Sequence, residues 1–176
     1  ERRDATVLFS DIRGFTSYSE KVEPEEVISM LNTFLNHQAD IVKENGGDID
    51  KFVGDELMAV FKGNQMVNQA VDCAIKIQNE VNKLNQEMGN NIQIGIGINT
   101  GSMVMGAMGS KDRMDFTVIG DNVNLGARLC GAAKAGEIIF SEKTEKILIA
   151  DKYNLKKLDP IKVKGKKKPI QIYRVE

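Results

Sequence analysis

Residues 48–61 read Asp-Ile-Asp-Lys-Phe-Val-Gly-Asp-Glu-Leu-Met-Ala-Val-Phe, "DIDKFVGDELMAVF". Two apolar-rich runs flank Gly54-Asp55, and a glycine beside an aspartate between such runs is the composition of a tight β-hairpin. What surrounds the hairpin sets the fold class. Upstream, Pro24-Glu25-Glu26 opens a helix, with proline in the first turn and acids at the positive end of the dipole. Val27, Ile28, Leu31, Leu35, Ile41 and Val42 give it an apolar stripe, and Asn45-Gly46-Gly47 stops it. Downstream, residues 67–88 form a second helix, with Ala70, Val71, Ala74, Ile75, Val81, Leu84 and Met88 inward. A buried strand at 5–12, "ATVLFSDI", precedes the first helix. "IQIGIGIN" follows the second, with Ile92, Ile94, Ile96 and Ile98 on one face. Gly95 and Gly97 on the other face imply a close neighbour.

The order is therefore β-α-β-β-α-β. A hairpin between two helices argues against a doubly wound parallel sheet. It fits an α+β, ferredoxin-like core with helices on one face of a largely antiparallel sheet. Additional α/β elements follow: a strand at 115–119, a helix at 120–134, a strand at 136–140, then a short helix and strands near 152–158, 161–165 and 170–175.

With 176 residues the chain suits one domain, 1–176, with a single sizeable core. Its 41% hydrophobic and 28% charged residues are an ordinary globular composition, and a net charge of −1 gives no global field to draw nucleic acid or membrane. Cys73 and Cys130 lie in helical-looking segments without a C-x-x-C neighbour, so buried reduced thiols and a cytoplasmic location are expected. No apolar run approaches membrane-spanning length and no signal peptide is present, so no direct membrane insertion of the domain is expected. The abrupt start, "ERRDATVLFSD", is already at a strand edge. This suggests a domain excised from a longer chain, with an upstream regulatory or sensor part that could itself be membrane-anchored.

Three constellations carry chemistry. Asp11 ends the first strand and Asp55 sits at the hairpin tip. In a ferredoxin-like core these strands are neighbours, so two carboxylates meet and want a cation. Oxygen ligands suit Mg²⁺ or Mn²⁺, which keep positions for water and phosphate. Two such ions can activate a hydroxyl and neutralise a leaving phosphate. In "SDIRGFT", Gly14 lets the backbone approach a ligand, and Phe15-Thr16 opens a helix whose N-terminus is a phosphate cradle. A capping Asp11 and a turn-forming Asp55 are the bland alternatives. In "TVIGDNVNLGAR", Asn124 and Arg128 are four apart on a helix and share a face, which suits a sugar oxygen and a phosphate oxygen. Asp121 and Asn122 read as helix caps. In "VKGKKKP", a lysine could fold over a polyphosphate, against the plainer reading of a solvated turn. Without interleaved aromatic residues it is not a nucleic-acid patch. "GIGINTG" misses G-x-G-x-x-G, no Walker A loop exists, and His37, the sole histidine, reads as structural or surface.

Together "VLFSDIRGFTSYSE", "GGDIDKFVGDELMAVF", "GIGINTG" and "DFTVIGDNVNLGARL", continuing through "VKGKKKPIQIYRV", closely resemble the class III nucleotide cyclase catalytic domain. The resemblance covers essentially the whole chain. It implies a head-to-tail homodimer with sites at the interface, two Mg²⁺ or Mn²⁺ ions, and ATP as substrate. It implies metal binding by Asp11, Asp55 and the Ile12 carbonyl, purine contacts by Lys51 and Thr117, ribose orientation by Asn124 and α-phosphate contact by Arg128. Lys164, or alternatively Lys166, would hold the terminal phosphates. Lysine at 51 accompanies adenine where glutamate accompanies guanine. Gly126 departs from the family's usual small Ala or Ser. The implied activity is adenylate cyclase; a guanylate cyclase, or a non-catalytic module that only dimerises or binds nucleotide, are the alternatives.

Overall fold

The structure, a computed structural model, describes residues 1–176 apart from the side chain of Ala150. Its centre is β1 (Arg2–Arg13), followed by α1 (Phe15–Lys21), α2 (Pro24–Glu44), the hairpin β2 (Asp48–Val53) and β3 (Glu56–Phe61), α3 (Met66–Met88) and β4 (Gln93–Ser110). Then come β5 (Arg113–Ile119), α4 (Asp121–Ala132), β6 (Ile138–Ser141), α5 (Glu142–Ile147), β7 (Leu155–Lys157) and β8 (Ile172–Val175). The sheet runs β2-β3-β1-β4-β6-β8-β7, with β5 paired to the distal part of β4. All pairings are antiparallel except β4–β6. The β2-β3-β1-β4 segment with α2 and α3 is the ferredoxin-like core read from the sequence.

The two faces of the sheet bury different helices. Leu8, Leu57, Ala59, Ile94, Ile96 and Ile98 point toward α2 and α3, where Phe34, Val42, Ala70, Val71 and Ile77 meet them. Val7, Phe9, Met58, Val60 and Met103 point the other way, toward Val123 and Cys130 of α4. Helices on a single face was thus right for α2 and α3 but not for α4. Both faces of β1 and β3 are apolar, so a second cover is required. Gly97 is what brings α4 close: a Cβ there would overlap the Cys130 backbone nitrogen. Gly95 lies under the Arg13 guanidinium in the same way.

Four further expectations are corrected. Residues 161–165 form no strand; a single bridge joins Ile161 to Ile170, and Lys164-Gly165 is a turn. The 92–99 strand continues to Ser110, where it folds back as β5. Ile28 is 60% exposed, and Met30 and Phe34 fill the α2 interface instead. Asp121 and Asn122 are not caps: Gly120 is the N-cap residue and no side chain bonds there. Asn122 instead donates to the Ser102 carbonyl, and its own carbonyl accepts from Asn99 Nδ2. That link continues inward through Ser141, Thr144, Thr100 and Thr6, a buried hydrogen-bonded chain that ties the start of α4 to the sheet.

Candidate active site

β1 runs past its ladder with β3 at Asp11-Ile12-Arg13, which remain paired to β4 alone, and Gly14, at φ 72°, turns the chain into α1. Ser10 pairs with Leu57 across β1–β3, so the end of β1 lies beside the start of β3. The preceding turn, with Gly54 at φ 60°, carries Asp55 over it. Asp55 Oδ2 accepts the Ile12 N–H at 3.2 Å. Burial, then contact with Asp55 and the charges of Asp55 and Glu56, push Asp11 up to about 7, with Arg13 opposing. Arg13 Nη1 is 3.8 Å from Asp11 Oδ2, but the guanidinium also donates to the Cys130 and Ala133 carbonyls at the end of α4. Asp11 thus has beside it two further acids and one cation, Arg13, that is already engaged. This deficit of positive charge, with oxygen-only donors, fits a hard divalent ion such as Mg²⁺ or Mn²⁺. Among the described residues no cluster of three or more His, Cys, Asp or Glu is placed for a metal. An ion here would complete its shell with main-chain carbonyls, water or substrate oxygens.

Phe15 packs partly against the core and Thr16 is exposed at the start of α1, immediately after the carboxylates. The helix start therefore stands where the sequence put it.

A second group gathers between β2, β5 and α4. Lys51 and Asn124 line one cleft of about 390 Å³ together with Glu56 and Val118. Lys51 and Thr117 line an adjoining cleft of about 330 Å³ with Met108 and Phe116. Asp50, its side chain 4% exposed, joins this pair: Thr117 Oγ1 donates to Asp50 Oδ2 at 2.9 Å and Lys51 Nζ lies 3.5 Å from the same oxygen. Sequence reading gave Asp50 no role. Its one signal was an acid inside a strand, where acids are depleted.

Arg128, half-buried on α4, approaches the 162–168 turn, with Nη1 3.5 Å from where a Cβ on Gly165 would stand. On that turn Lys166 Nζ is 3.6 Å from Asp121 Oδ2. Lys164 is exposed and makes no ion pair among the described residues. The structure thus brings Asp11, Ile12 and Asp55 together, Lys51 and Thr117 together, and Arg128 beside the lysine turn. Glu56, whose charge acts on Asp11, is what borders both the carboxylates and the cleft of Lys51 and Asn124. No hydrogen bond or ion pair among the described residues links Asp11 or Asp55 to Lys51, Asn124 or Arg128, and the cleft of Lys51 and Asn124 is not lined by either aspartate.

The model of the adenylate and guanylate cyclase catalytic domain family matches residues 1–176. The chain belongs to this family. The domain is 39% identical over 186 residues to an adenylate cyclase of Anabaena cylindrica, an alignment covering 99% of this chain and 37% of that protein. It spans well under half the length of that relative. Among solved structures it is similar to the adenylyl cyclase CyaB from P. aeruginosa, with a TM-score of 0.96, 39% identity, and 100% of this chain and 95% of that one covered. It is also similar to the guanylyl cyclase Cya2, with a TM-score of 0.90, 35% identity, and 99% and 92% coverage. A cyclase fold is therefore shared by proteins named for either purine, and choice of base must rest on individual side chains.

Proposed function

We propose that this cyclase domain is an adenylate cyclase, a phosphorus–oxygen lyase that converts ATP to 3′,5′-cyclic AMP and pyrophosphate at the interface of a homodimer. The observation that carries the choice of adenine is Lys51, held by Asp50 beside Thr117. Adenine offers a lone pair at N1 and an amino donor at N6. Lys51 donates to the first and the Thr117 oxygen accepts from the second.

In the reaction O3′ of the ribose attacks the α-phosphorus in line. The O3′–P bond forms, the bond from the α-phosphorus to the oxygen bridging to the β-phosphate breaks, the O3′ proton passes to Asp11, a water or a substrate phosphate oxygen, and pyrophosphate leaves. Two Mg²⁺ or Mn²⁺ ions bound by Asp11, Asp55 and the Ile12 carbonyl would supply Lewis-acid activation of the hydroxyl and neutralise phosphate charge. Asn124 orients the ribose. Arg128 presents a planar, permanently charged fork to the α-phosphate oxygens, where charge grows in the transition state. Lys164 is the lysine for the terminal phosphates, because Lys166 is already engaged by Asp121. The backbone at Phe15 and Thr16 faces the same phosphates.

A second chain is proposed because, among the described residues of one chain, no hydrogen bond or ion pair joins Asp11 or Asp55 to Lys51, Asn124 or Arg128. Exposed apolar side chains on β2 (Phe52, Val53), on the β4–β5 arm (Met108, Met114, Phe116) and at Ile119 supply a surface for a second copy. The domain acts in the cytoplasm, where ATP is available and buried Cys73 and Cys130 stay reduced. The extra length of the Anabaena relative supports further segments in the full chain, which we place upstream in a regulatory or sensor role.

Incubating the domain with ATP or GTP and Mn²⁺ and resolving the products tests this. Cyclic AMP should dominate. Preferential cyclic GMP would select the guanylate reading, and no product from a dimeric preparation would select a non-catalytic module.

A further inference from the structure

Asp50 occupies an irregular position in β2. Ile49 pairs with Ala59 and Lys51 with Met58, the next residue on β3, so Asp50 is the extra residue of a β-bulge. A bulge re-aims a side chain out of the strand's alternation. Here it turns a carboxylate inward, to 4% exposure, against β5. The Thr117 hydroxyl donates to it at 2.9 Å, and Thr117 is itself buried at 7% exposure. Lys51 Nζ stands 3.5 Å from the same oxygen. The cleft beside them is walled by Met108 and Phe116, two flat or flexible apolar side chains suited to a purine face, with Asp115 at its edge.

We propose that Asp50 is a specificity-determining positioning residue that fixes the polarity of Thr117 toward the base. A hydroxyl is ambivalent: it can donate or accept. A carboxylate only accepts, so while Thr117 gives its proton to Asp50 its lone pairs alone face the cleft. That arrangement welcomes the N6 amino group of adenine and leaves O6 of guanine, an acceptor, opposite another acceptor. The same carboxylate oxygen holds the Lys51 ammonium at the neighbouring edge. Asp50 thus converts a non-selective threonine into an adenine reader without touching the nucleotide. The inference rests on the proposed cyclase reading.

The test is Asp50→Asn, nearly the same shape, whose amide can donate to Thr117 and free its proton for O6. kcat/KM for ATP and for GTP is measured with Mn²⁺ for the wild-type domain and the variant. Affinities for 3′-deoxy-ATP and 3′-deoxy-GTP, which cannot cyclise, give a readout apart from turnover. The ATP:GTP ratio should fall roughly tenfold or more in both, as expected when one buried hydrogen bond becomes a mismatch, and mainly through KM. A merely structural role would lower both nucleotides alike and leave the ratio unchanged, and that result overturns the inference. If Asp50→Asn does not fold, Thr117→Val breaks the same contact from the other end, and an unchanged ratio there overturns it equally. A wild-type domain with no turnover of ATP defeats the underlying reading instead, and is seen before any variant is made.

Discussion

At the scale of single residues, electrostatics separates the acids by task. Asp11, Asp55 and Glu56 crowd one corner, and Asp11 is pushed up to about 7, mainly by burial and then by Asp55. In the metal-free domain the folded chain then keeps a proton that an unfolded Asp, at 3.8, has lost. The unfolded state binds fewer protons through that window, so the contribution of Asp11 to stability is fully present below about pH 4 and is lost as pH rises toward 7. Thermal melts of metal-free protein across this range should show the decline for wild type and a flatter profile for Asp11→Asn. Mn²⁺ added at pH 8 should raise the wild-type melting temperature and leave Asp11→Asn nearly unmoved. Asp11→Ala and Asp55→Ala should each fold, since a like-charge pair is relieved, and lose more than ~10²-fold in turnover. Near-normal Mn²⁺-dependent rates in either would remove the carboxylates from the site. On the base side, Lys51→Glu with Thr117→Cys should lower the ATP:GTP ratio of kcat/KM. The new glutamate stands against Asp50, so adding Asp50→Asn should raise GTP use further. A ratio unmoved in all of these would take the pair out of the purine pocket.

At the scale of elements, close approach decides more than side-chain size. Gly97 admits the backbone of α4 at Leu129 and Cys130, which cannot move without moving the helix that carries Asn124 and Arg128. Gly126 faces side chains instead, with Val7 Cγ2 2.8 Å and Phe9 Cε2 3.1 Å from a would-be Cβ. Gly97→Ala should therefore destabilise by about 1–3 kcal/mol or more and depress turnover. In Gly126→Ala the helix propensity gained, about 1 kcal/mol, offsets most of the local crowding. Denaturant unfolding of both variants checks the contrast; equal losses would mean that α4 does not depend on Gly97. The same distinction marks what could be read from sequence. The core elements were legible because their periodicity is local: four isoleucines at alternate positions, a stripe along α2, a glycine at a hairpin tip. The distal half of β4, "GSMVMGAMGS", was not, because its Gly, Ser and Met have little strand preference of their own and its order comes from pairing with β5. The supposed strand at 161–165 failed for the complementary reason, since alternation in "IKVKG" has one bridge and no ladder to join. Asp11, Asp55, Asn124 and Arg128 stood out through motif context. Asp50 and the Arg13 clamp on α4 did not, because their partners are distant in sequence and only the fold brings them together.

At the scale of the whole molecule, the lack, among the described residues, of any hydrogen bond or ion pair between the two groups of proposed site residues becomes a prediction about stoichiometry. In the proposed closed two-fold dimer each of two sites would take Asp11 and Asp55 from one chain and Lys51, Asn124 and Arg128 from the other. Asp11→Ala homodimers then have two sites without metal carboxylates, and Arg128→Ala homodimers have two sites without the α-phosphate contact. Mixed in equal amounts and allowed to exchange, half the dimers become mixed. Each mixed dimer has one site with both defects and one with neither. About a quarter of wild-type sites should be restored by closed symmetry alone. Exchange can be followed independently by labelling each parent with a different fluorophore and measuring energy transfer. If exchange is complete and activity stays at the level of the separate parents, the groups act within one chain, and the exposed apolar side chains of β2 and the β4–β5 arm must serve something other than a shared active site.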